Sequence, residues 1–571
     1  MGHGKSRAID RRQFVQASSA AAAALALGAT GCASSHPVAE TGGTTTQFVA
    51  GTYQATALGK KSDITVEVVF SDTAIDSVRV IDHGETERIA APAFEKIPEI
   101  IVASQSLAVD AVTGATLSSL ALLSAVEDCA RQADGDVSAL KRAEVPKEQP
   151  ADEEIECDLA VIGAGISGMA SALAAAQQGA KVVVFEKSSS MGGNALVSGG
   201  FIEYANAPEE LRVEVNDGYL KIFQEVLQFN RDAGLDASLV DEVQQQWDDY
   251  YANGNTKLFS SPEFLALQLC MLEGNTYDFQ PTYATDVEGG TAWLDTMQFP
   301  WMPLVAIPGY SWAHFSGSSE DVNGEGYFNV FEREMEGLDL RILFATPATE
   351  LITESDRVTG VIGSSANGNT YTVRAKDGVV IASGGYADNQ DMLKEHDKMW
   401  NWKDLDTFHC DNNYGHTGDG IRMATEVGAA FAELPFNQMV FPFVDTVLYA
   451  TETTVGTTNE SIYVNKAGKR FCDEGGSRTD MTIALMEQDG GVGFQVVDHD
   501  SSMITDGKTH TGMDVEYAIE RGILYRADTL EELATLMGVD ETTFLKTVAD
   551  YNEMTHTFND PEFGRSSFGP N

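Results

Sequence analysis

The apolar and polar positions between residues 155 and 190 follow an order typical of a parallel α/β sheet. Residues 159–162 form an apolar run that stops at a glycine-rich turn, and Met169 and Leu173 then recur at helical spacing. A second apolar run follows at residues 182–185. The pattern predicts a strand, a turn, a helix and a second strand, which together form the first unit of a doubly wound sheet.

The turn between the first strand and the helix reads Gly-Ala-Gly-Ile-Ser-Gly over residues 163–168. Gly163 permits a tight turn, Gly165 lets backbone N–H groups approach a pyrophosphate, and Gly168 lets the helix pack closely on the strand. Ser167 lies where the helix begins, and the positive end of the helix dipole there favours phosphate. We therefore predict a dinucleotide site at this turn.

The residues after the second strand indicate which dinucleotide is bound. Glu186 is placed to accept hydrogen bonds from an adenosine ribose, and Lys187 follows it. Further glycine-rich stretches at residues 191–195 and 198–200 favour FAD over NAD, because a second, larger ring system must also be cradled. Another buried strand, at residues 379–383, breaks into a glycine pair. The FAD contacts predicted in these stretches are Gly193, Asn194, Ala195, Gly199, Gly200 and Gly384.

A last glycine-rich loop, residues 415–420, precedes a helix predicted at residues 422–430. Gly418 and Gly420 would allow close approach to the cofactor. Asp419 has two interpretations, since its carboxylate is suited either to capping the helix or to contacting the FAD. The residues alone leave both open.

Residues 48–133 predict a small, separate α+β domain. Apolar and polar positions alternate over residues 51–54, 64–70 and 75–81, which predicts three strands with one inward face. Helices are predicted at residues 93–105 and 120–133. The stretch between them, Asp-Ala-Val-Thr-Gly-Ala-Thr at residues 110–116, is by composition only a turn that caps the second helix.

The segments outside these domains have other compositions. Residues 1–32 join a basic start to a short apolar run at 20–27 that cannot stably span a membrane, and they predict a targeting signal. The polar residues 33–47 and the charged residues 134–154 are predicted linkers.

Charge and cysteine spacing restrict the partners and cofactors. The 37 basic and 86 acidic side chains leave a formal charge of −49, which repels nucleic acid and anionic lipid surfaces. The 6 cysteines are scattered, so the sequence offers no haem-attachment, iron–sulfur, zinc or disulfide pattern. We predict no metal site.

The motifs GAGISG, FEK, GGN, SGG and ASGG together resemble those of the FAD-dependent fumarate reductase family, which includes urocanate reductase and, more distantly, 3-ketosteroid dehydrogenases. The resemblance runs from residue 155 to the end of the chain. It implies an α/β fold in which a Rossmann-like FAD-binding domain at residues 155–435 is followed by a clamp domain at residues 436–571 that closes over the substrate. The clamp's expected beginning includes a strand pair around residues 459–470.

The stretch at residues 110–116 is similar to the flavinylation motif of FMN-binding domains. That similarity implies an FMN esterified through its phosphate to Thr116. Gly114 would open the backbone there, and the start of the following helix would offset the phosphate charge. The resemblance thus gives the chain two flavins.

The resemblance also assigns roles in the clamp domain. Arg478 matches the family's proton donor, and Glu452 aligns with a carboxylate that would relay protons to it, although an ordinary salt bridge remains open for Arg478. A lone His314 falls near the expected flavin loop and is a candidate site residue, although a single histidine is usually structural. The family's substrate His-Pro is Phe441-Pro442 here, and its second relay Arg is Val455. These changes favour a planar or aromatic unsaturated acid over a dicarboxylate.

Two further expectations concern the ends of the chain. Arg11-Arg12 resembles a twin-arginine export signal, and the small residues before Cys32 resemble a bacterial lipoprotein site, with cleavage elsewhere as the alternative. The sequence ends at Asn571 without the family's C-terminal FAD-domain segment, which indicates either a fragment or a lost end.

The reaction implied is the reduction of an activated carbon–carbon double bond in a small unsaturated organic acid or enone. A membrane-linked flavin- or quinol-dependent donor would supply electrons to FMN, which would pass them to FAD outside the cytoplasmic membrane. The rivals are a 3-ketosteroid dehydrogenase-like enzyme and a non-catalytic FMN electron carrier.

Overall fold

The computed structural model describes residues 47–146, 150–234, 237–273, 280–307, 310–397, 410, 412, 415–430, 454–510, 512–565 and 568. Its first part is an antiparallel sheet of three strands in the order β1 (Gly51–Leu58), β2 (Asp63–Phe70) and β3 (Ile75–His83). Two helices, α1 (Glu87–Ser104) and α2 (Thr116–Gln132), pack on this sheet. The alternation along β2 buries Ile64, Val66, Val68 and Phe70, as the sequence predicts.

The structure corrects three boundaries in this part. Helix α1 begins at Glu87 instead of residue 93. Its first turns include Pro92, and they bury Ala90 on the same side of the helix as Ala93 and Ile97. Helix α2 begins at Thr116 instead of residue 120. Residues 134–145, which the sequence places in a linker, include a short helix α3 (Val137–Leu140) that buries Leu140 in the same core.

The second part is a sheet of six strands in the order β10-β11-β12-β4-β5-β9. The strands β4 (Glu153–Ile162), β5 (Val182–Phe185), β9 (Leu340–Leu343) and β12 (Thr370–Ile381) are mutually parallel, while β10 (Ala348–Glu354) and β11 (Arg357–Ser364) extend the sheet antiparallel. Helix α4 (Ile166–Gln177) connects β4 to β5. The α/β class predicted from the sequence is confirmed.

A helical region is inserted between β5 and β9. Its helices are α5 (Asp217–Asp232), α6 (Ala237–Ala252), α7 (Pro262–Glu273), α8 (Gln280–Thr296) and α9 (Glu325–Met335). A small sheet lies among them in the order β6-β8-β7, formed by β6 (Ile202–Glu203), β7 (Val305–Ile307) and β8 (Tyr310–Ser316). Helix α9 shares a core with α4, because Phe328 and Phe331 pack with Met169 and Leu173. After β12 come α10 (Gln390–His396) and α11 (Asp419–Glu426).

The C-terminal part pairs β13 (Ile462–Asn465) with β14 (Gly493–Val496) and β15 (Ile504–Thr505) with β16 (Lys508–Thr509). Its helices are α12 (Arg478–Met486), α13 (Val515–Glu520), α14 (Leu530–Met537) and α15 (Glu541–Thr557). Phe544 of α15 is fully buried against β13.

Two features are absent from the described residues. None of their helices combines the length and apolarity needed to cross a bilayer. Within the same residues, no cluster of His, Cys, Asp and Glu side chains is arranged to hold a metal ion.

Candidate functional site

The turn between β4 and α4 forms what we call the glycine cradle, residues 163–168 with residues 192–193. Gly163 has φ +102°, a conformation that glycine adopts without strain. A methyl group on Gly168 would lie 1.9 Å from the carbonyl oxygen of Gly163, whereas one on Gly165 would meet nothing within 4 Å. The backbone of the cradle is therefore tightly packed on one side and open at Gly165, which fits the approach of a pyrophosphate.

A buried glutamate supports the cradle. Glu186 Oε2 accepts a hydrogen bond of 2.7 Å from the backbone N–H of Ala164, and its Oε1 accepts one of 2.7 Å from the N–H of Ser188. Burial raises the pKa of Glu186, although these hydrogen bonds oppose the shift. The sequence predicts a ribose contact for this carboxylate. The structure adds that it joins the cradle to the loop after β5.

An ion pair closes the other side of the site. Lys187 Nζ lies 2.9 Å from Asp419 Oδ2 and 3.0 Å from Thr417 Oγ1. Burial alone would raise the pKa of Asp419, but the hydrogen bonds from Lys187 and Thr417 outweigh it and hold the pKa below its usual range. The capping role considered for Asp419 is wrong, because Gly418 occupies the N-cap position of α11 with φ 76°.

The remaining predicted FAD contacts lie on the segments around this cradle. Gly165 and Gly192 form an isolated parallel bridge, and a methyl on Gly193 would come within 3.5 Å of the Cα of Gly165. Asn194 donates to Asn412 Oδ1, and the carbonyl of Ala195 accepts from the N–H of Gly324 at 2.9 Å. The structure thus brings residues 163–168 and 192–195 together.

Other predicted contacts differ in exposure. Ser167 is exposed in the first turn of α4, and its carbonyl accepts from the Ser171 hydroxyl at 2.8 Å. Gly384 is exposed with φ +74° where β12 has ended, beside His416. Gly200 is buried and has φ +73°. A methyl group there would lie 1.9 Å from the carbonyl oxygen of Asn323, so only glycine fits.

Thr116 is the first residue of α2, and its side chain is exposed. Gly114 has φ +90° two residues earlier, and the loop borders a cleft that is also lined by Lys60, Lys61 and Thr86. An accessible hydroxyl at a helix start, with lysines nearby, fits a phosphate ester. The residues present therefore suit the FMN attachment that the motif implies.

Glu85 supports this second site from inside the small domain. Its Oε1 accepts hydrogen bonds from the backbone N–H groups of Lys61 at 2.7 Å and Ser62 at 3.0 Å. Its Oε2 accepts from the hydroxyl of Ser118 at 2.5 Å. Glu85 is buried, so it fixes the start of α2 relative to the β1–β2 turn. The sequence analysis missed this residue.

Arg478 is the first residue of α12, whose N-cap Ser477 accepts from the N–H of Asp480 at 3.1 Å. The guanidinium carbon of Arg478 lies 5.8 Å from the ring centre of Tyr310, on the inserted sheet. The structure thus places the predicted proton donor where the C-terminal part faces the FAD-binding part. Glu452 and the Phe441-Pro442 pair lie outside the described residues, and Val455 is buried.

Two histidines occur near this junction. His510 stacks on Phe201 with ring centres 5.1 Å apart, and its Nε2 lies 3.3 Å from the carbonyl oxygen of Gly199. Burial lowers the pKa of His510, so the ring is neutral near pH 7. Burial also lowers the pKa of His314 to about 3, which makes this predicted candidate unsuitable as an acid at neutral pH.

A buried charge cluster holds the loop that leads to Arg478. Arg470 donates to Glu474 at 2.8 and 2.6 Å and to Asp560 at 2.8 Å, and Arg565 donates to Glu474 at 3.0 Å. All four side chains are almost completely buried. The two positive and two negative charges balance, so each ion has a partner in the interior. Sequence reasoning missed this cluster.

Comparisons with known proteins agree with this architecture. The model of the FAD binding domain family matches residues 158–569, and that of the FMN-binding domain family matches residues 59–131. An NADH:acrylate oxidoreductase from Vibrio harveyi is 30% identical over 92% of this chain and 54% of that protein. A urocanate reductase from Eggerthella lenta is 29% identical over 98% of this chain and 86% of that protein.

The chain thus spans about half the length of the Vibrio harveyi relative. Among solved structures, a 3-ketosteroid-Δ4-(5α)-dehydrogenase from Rhodococcus jostii RHA1 superposes with a TM-score of 0.47 at 18% identity, over 73% of this chain and 82% of that one. The family resemblance expected from the motifs is confirmed by the family models and the two relatives.

Proposed function

Because the chain belongs to the FAD binding domain family and also carries an FMN-binding domain, we propose that it is a flavin-dependent reductase of activated carbon–carbon double bonds. The observation that carries the proposal is the position of Arg478, a cation from the C-terminal part that faces Tyr310 of the FAD-binding part. A cation at this junction suits the binding and protonation of an unsaturated carboxylate.

The proposed acceptor is a small unsaturated acid. The activities of the two relatives support this class, since one is an acrylate oxidoreductase and the other a urocanate reductase. The neutral His510 ring, stacked on Phe201 beside Gly199, is flat and uncharged. Such a surface favours a planar acceptor over a second charged group.

The flavins, when bound, supply the two electrons that reduce the double bond, and two protons complete the product. This chain's own residues orient the acceptor and deliver a proton. Arg478 would donate the proton to the carbon next to the one that receives the hydride. Since a guanidinium resists deprotonation, Arg478 needs a relay that returns the proton, and Glu452 remains the residue proposed for it.

The proposed electron path runs from a membrane-linked donor to FMN on Thr116 and then to FAD. The proposed location is the outer face of the cytoplasmic membrane, reached through the twin-arginine and lipoprotein signals in residues 1–32. What supports the location is the signal-like sequence alone.

The test uses the purified chain with both flavins, reduced viologen as donor, and acrylate, fumarate and urocanate as acceptors. We expect oxidation of the viologen by at least one acceptor. Arg478→Ala should abolish that turnover while FAD stays bound. Arg526→Ala is the matched control, because Arg526 is an exposed arginine of the same part that pairs with Glu516 at 2.7 Å. Turnover retained by Arg478→Ala would reject the assigned acid, and failure with every enoate would reject the function.

A further inference from the structure

Arg88 joins the small N-terminal domain to the FAD-binding part. Its Nε donates to Glu325 Oε1 at 2.7 Å, its Nη1 donates to Glu332 Oε1 at 2.6 Å, and its Nη2 donates to Asn329 Oδ1 at 2.6 Å. Glu325, Asn329 and Glu332 are spaced i, i+4 and i+7 along α9, so one guanidinium contacts successive turns of a single helix face.

The electrostatics of Arg88 fit a fixed contact. Its side chain is only 12% exposed, against 24% for Glu325 and 49% for Glu332. Burial alone would lower the pKa of Arg88, but the hydrogen bonds and charges of Glu332 and Glu325 outweigh it and raise the pKa. A guanidinium with two carboxylates and an amide around it forms charge-assisted bonds, which are stronger and more directional than an exposed ion pair.

Both ends of this contact lead to a flavin site. Three residues before Arg88, the buried Glu85 holds Ser118 in the first turn of α2, next to Thr116. On the other side, Phe328 of α9 packs with the core of α4, the helix that begins at the glycine cradle. Ile89, which follows Arg88, packs against the cores of both parts.

A second contact lies at the Thr116 loop itself. The carbonyl of Thr113 accepts a hydrogen bond of 3.0 Å from the backbone N–H of Ser189, and a methyl on Gly114 would lie 3.0 Å from Cβ of Ser188. Ser188 also donates its N–H to Glu186, which supports the cradle. The loop that carries Thr116 therefore touches the loop that shapes the FAD site.

We propose that Arg88 is a positioning residue that docks the FMN-binding domain on helix α9 and so holds the Thr116 loop against the loop after β5. The consequence is a fixed separation between the two flavin sites within one chain. The inference rests on the proposed function only for its kinetic readout.

The structural test is hydrogen exchange on the full chain carrying both flavins. Arg88→Glu places a carboxylate against Glu325 and Glu332, and we expect faster exchange in residues 87–92, 113–116 and 325–332. Arg79→Glu is the matched control, because Arg79 pairs with Glu67 inside the small domain. Combining Arg88→Glu with Glu332→Arg should restore protection. Unchanged exchange in Arg88→Glu, in a folded chain, overturns the proposal.

The kinetic test follows the flavins after full reduction and mixing with an acceptor. FAD should be reoxidised first, by the acceptor, and FMN second, as its two electrons pass to the emptied FAD. In Arg88→Glu the first phase should be unchanged. The second should be slowed roughly tenfold or more, because losing a charged hydrogen-bonded contact shifts the docking equilibrium at least that far toward separated flavin sites. An unslowed second phase contradicts the proposal. No reoxidation in the unmodified chain rejects the proposed function alone, and the exchange measurement still decides the role of Arg88.

Discussion

The two flavin sites of this chain are supported alike but bind by different means. Each is supported by a buried glutamate that accepts hydrogen bonds from two backbone N–H groups. Glu186 lies beneath the glycine cradle, and Glu85 lies beneath the Thr116 loop. The FAD site presents main chain, made accessible by the absence of a side chain at Gly165. The FMN site presents one exposed side-chain hydroxyl, that of Thr116.

This difference sets what each site tolerates. A site made of backbone is damaged by adding atoms, since even one methyl group displaces main chain or ligand. A site made of a hydroxyl is damaged by removing an atom, and its surroundings can vary as long as the hydroxyl stays accessible. The two sites should therefore respond to opposite kinds of substitution.

The largest effect is expected within the glycine cradle. In Gly168→Ala the new methyl lies 1.9 Å from the carbonyl oxygen of Gly163, so the backbone must shift at a cost of about 1–3 kcal/mol or more. We expect loss of FAD and a lower melting temperature. Both are measured by flavin release and thermal unfolding of the purified chain.

Gly165→Ala is the matched control for that substitution. Nothing lies within 4 Å of its methyl group, so the FAD-free chain should lose only about 1 kcal/mol, the cost of alanine in place of glycine at the N-cap of α4. FAD affinity should nevertheless fall roughly tenfold, by loss of one charge-assisted hydrogen bond to phosphate. Unchanged FAD affinity in Gly165→Ala would show that the open side of the cradle is not a ligand surface.

A smaller effect is expected when either supporting carboxylate becomes an amide. Glu186→Gln leaves one buried backbone N–H group without an acceptor, at a cost of about 1–3 kcal/mol, because Ala164 and Ser188 donate to different oxygens. Glu85→Gln keeps the oxygen that accepts from Lys61 and Ser62 and replaces only the acceptor of the Ser118 hydroxyl. We expect Glu186→Gln to weaken FAD binding without changing the amount of covalently attached FMN. Glu85→Gln should lower the amount of covalently attached FMN without releasing FAD. A crossed result, in which either variant affects both sites equally, would mean that the two supports act as one unit.

The smallest effect concerns acid pH and the half-exposed pair of Lys187 and Asp419. Because the pKa of Asp419 is lowered in the folded chain, the stability it contributes is full above its ordinary value of 3.8 and is lost as pH falls through the lowered pKa. Solvent screening limits the contribution to about 1 kcal/mol or less. FAD release measured between pH 6 and about pH 3 should steepen at the acid end, and Asp419→Asn should remove that steepening. An unchanged acid profile in Asp419→Asn would exclude the pair from FAD retention.

Much of the fold could be predicted because its signals are local. The apolar runs of β4 and β5, the glycines at residues 163–168 and the alternation along β2 each lie within a few residues of one another. The start of α2 was placed too late because Ser118 and Ser119 are polar, yet both are buried with hydrogen-bond partners.

The contacts that sequence reasoning missed join distant segments. Arg470 and Asp560 are 90 residues apart. In a sequence, a charged residue without a nearby partner indicates an exposed position, so their burial as a pair could not be predicted. His510 reaches Gly199 across 311 residues. The stripe formed by Glu325, Asn329 and Glu332 has a visible helical spacing, but a polar stripe alone indicates an exposed face. In the structure this stripe instead contacts Arg88 of the small domain.

The most direct test of the two-site account is to denature the purified chain in acid and separate protein from small molecules. We expect one flavin equivalent to remain on the protein and one equivalent of FAD in the supernatant, with Thr116→Ala losing only the first. A colourless protein fraction from cells that attach FMN to other proteins, or flavin still fixed to Thr116→Ala, would contradict it.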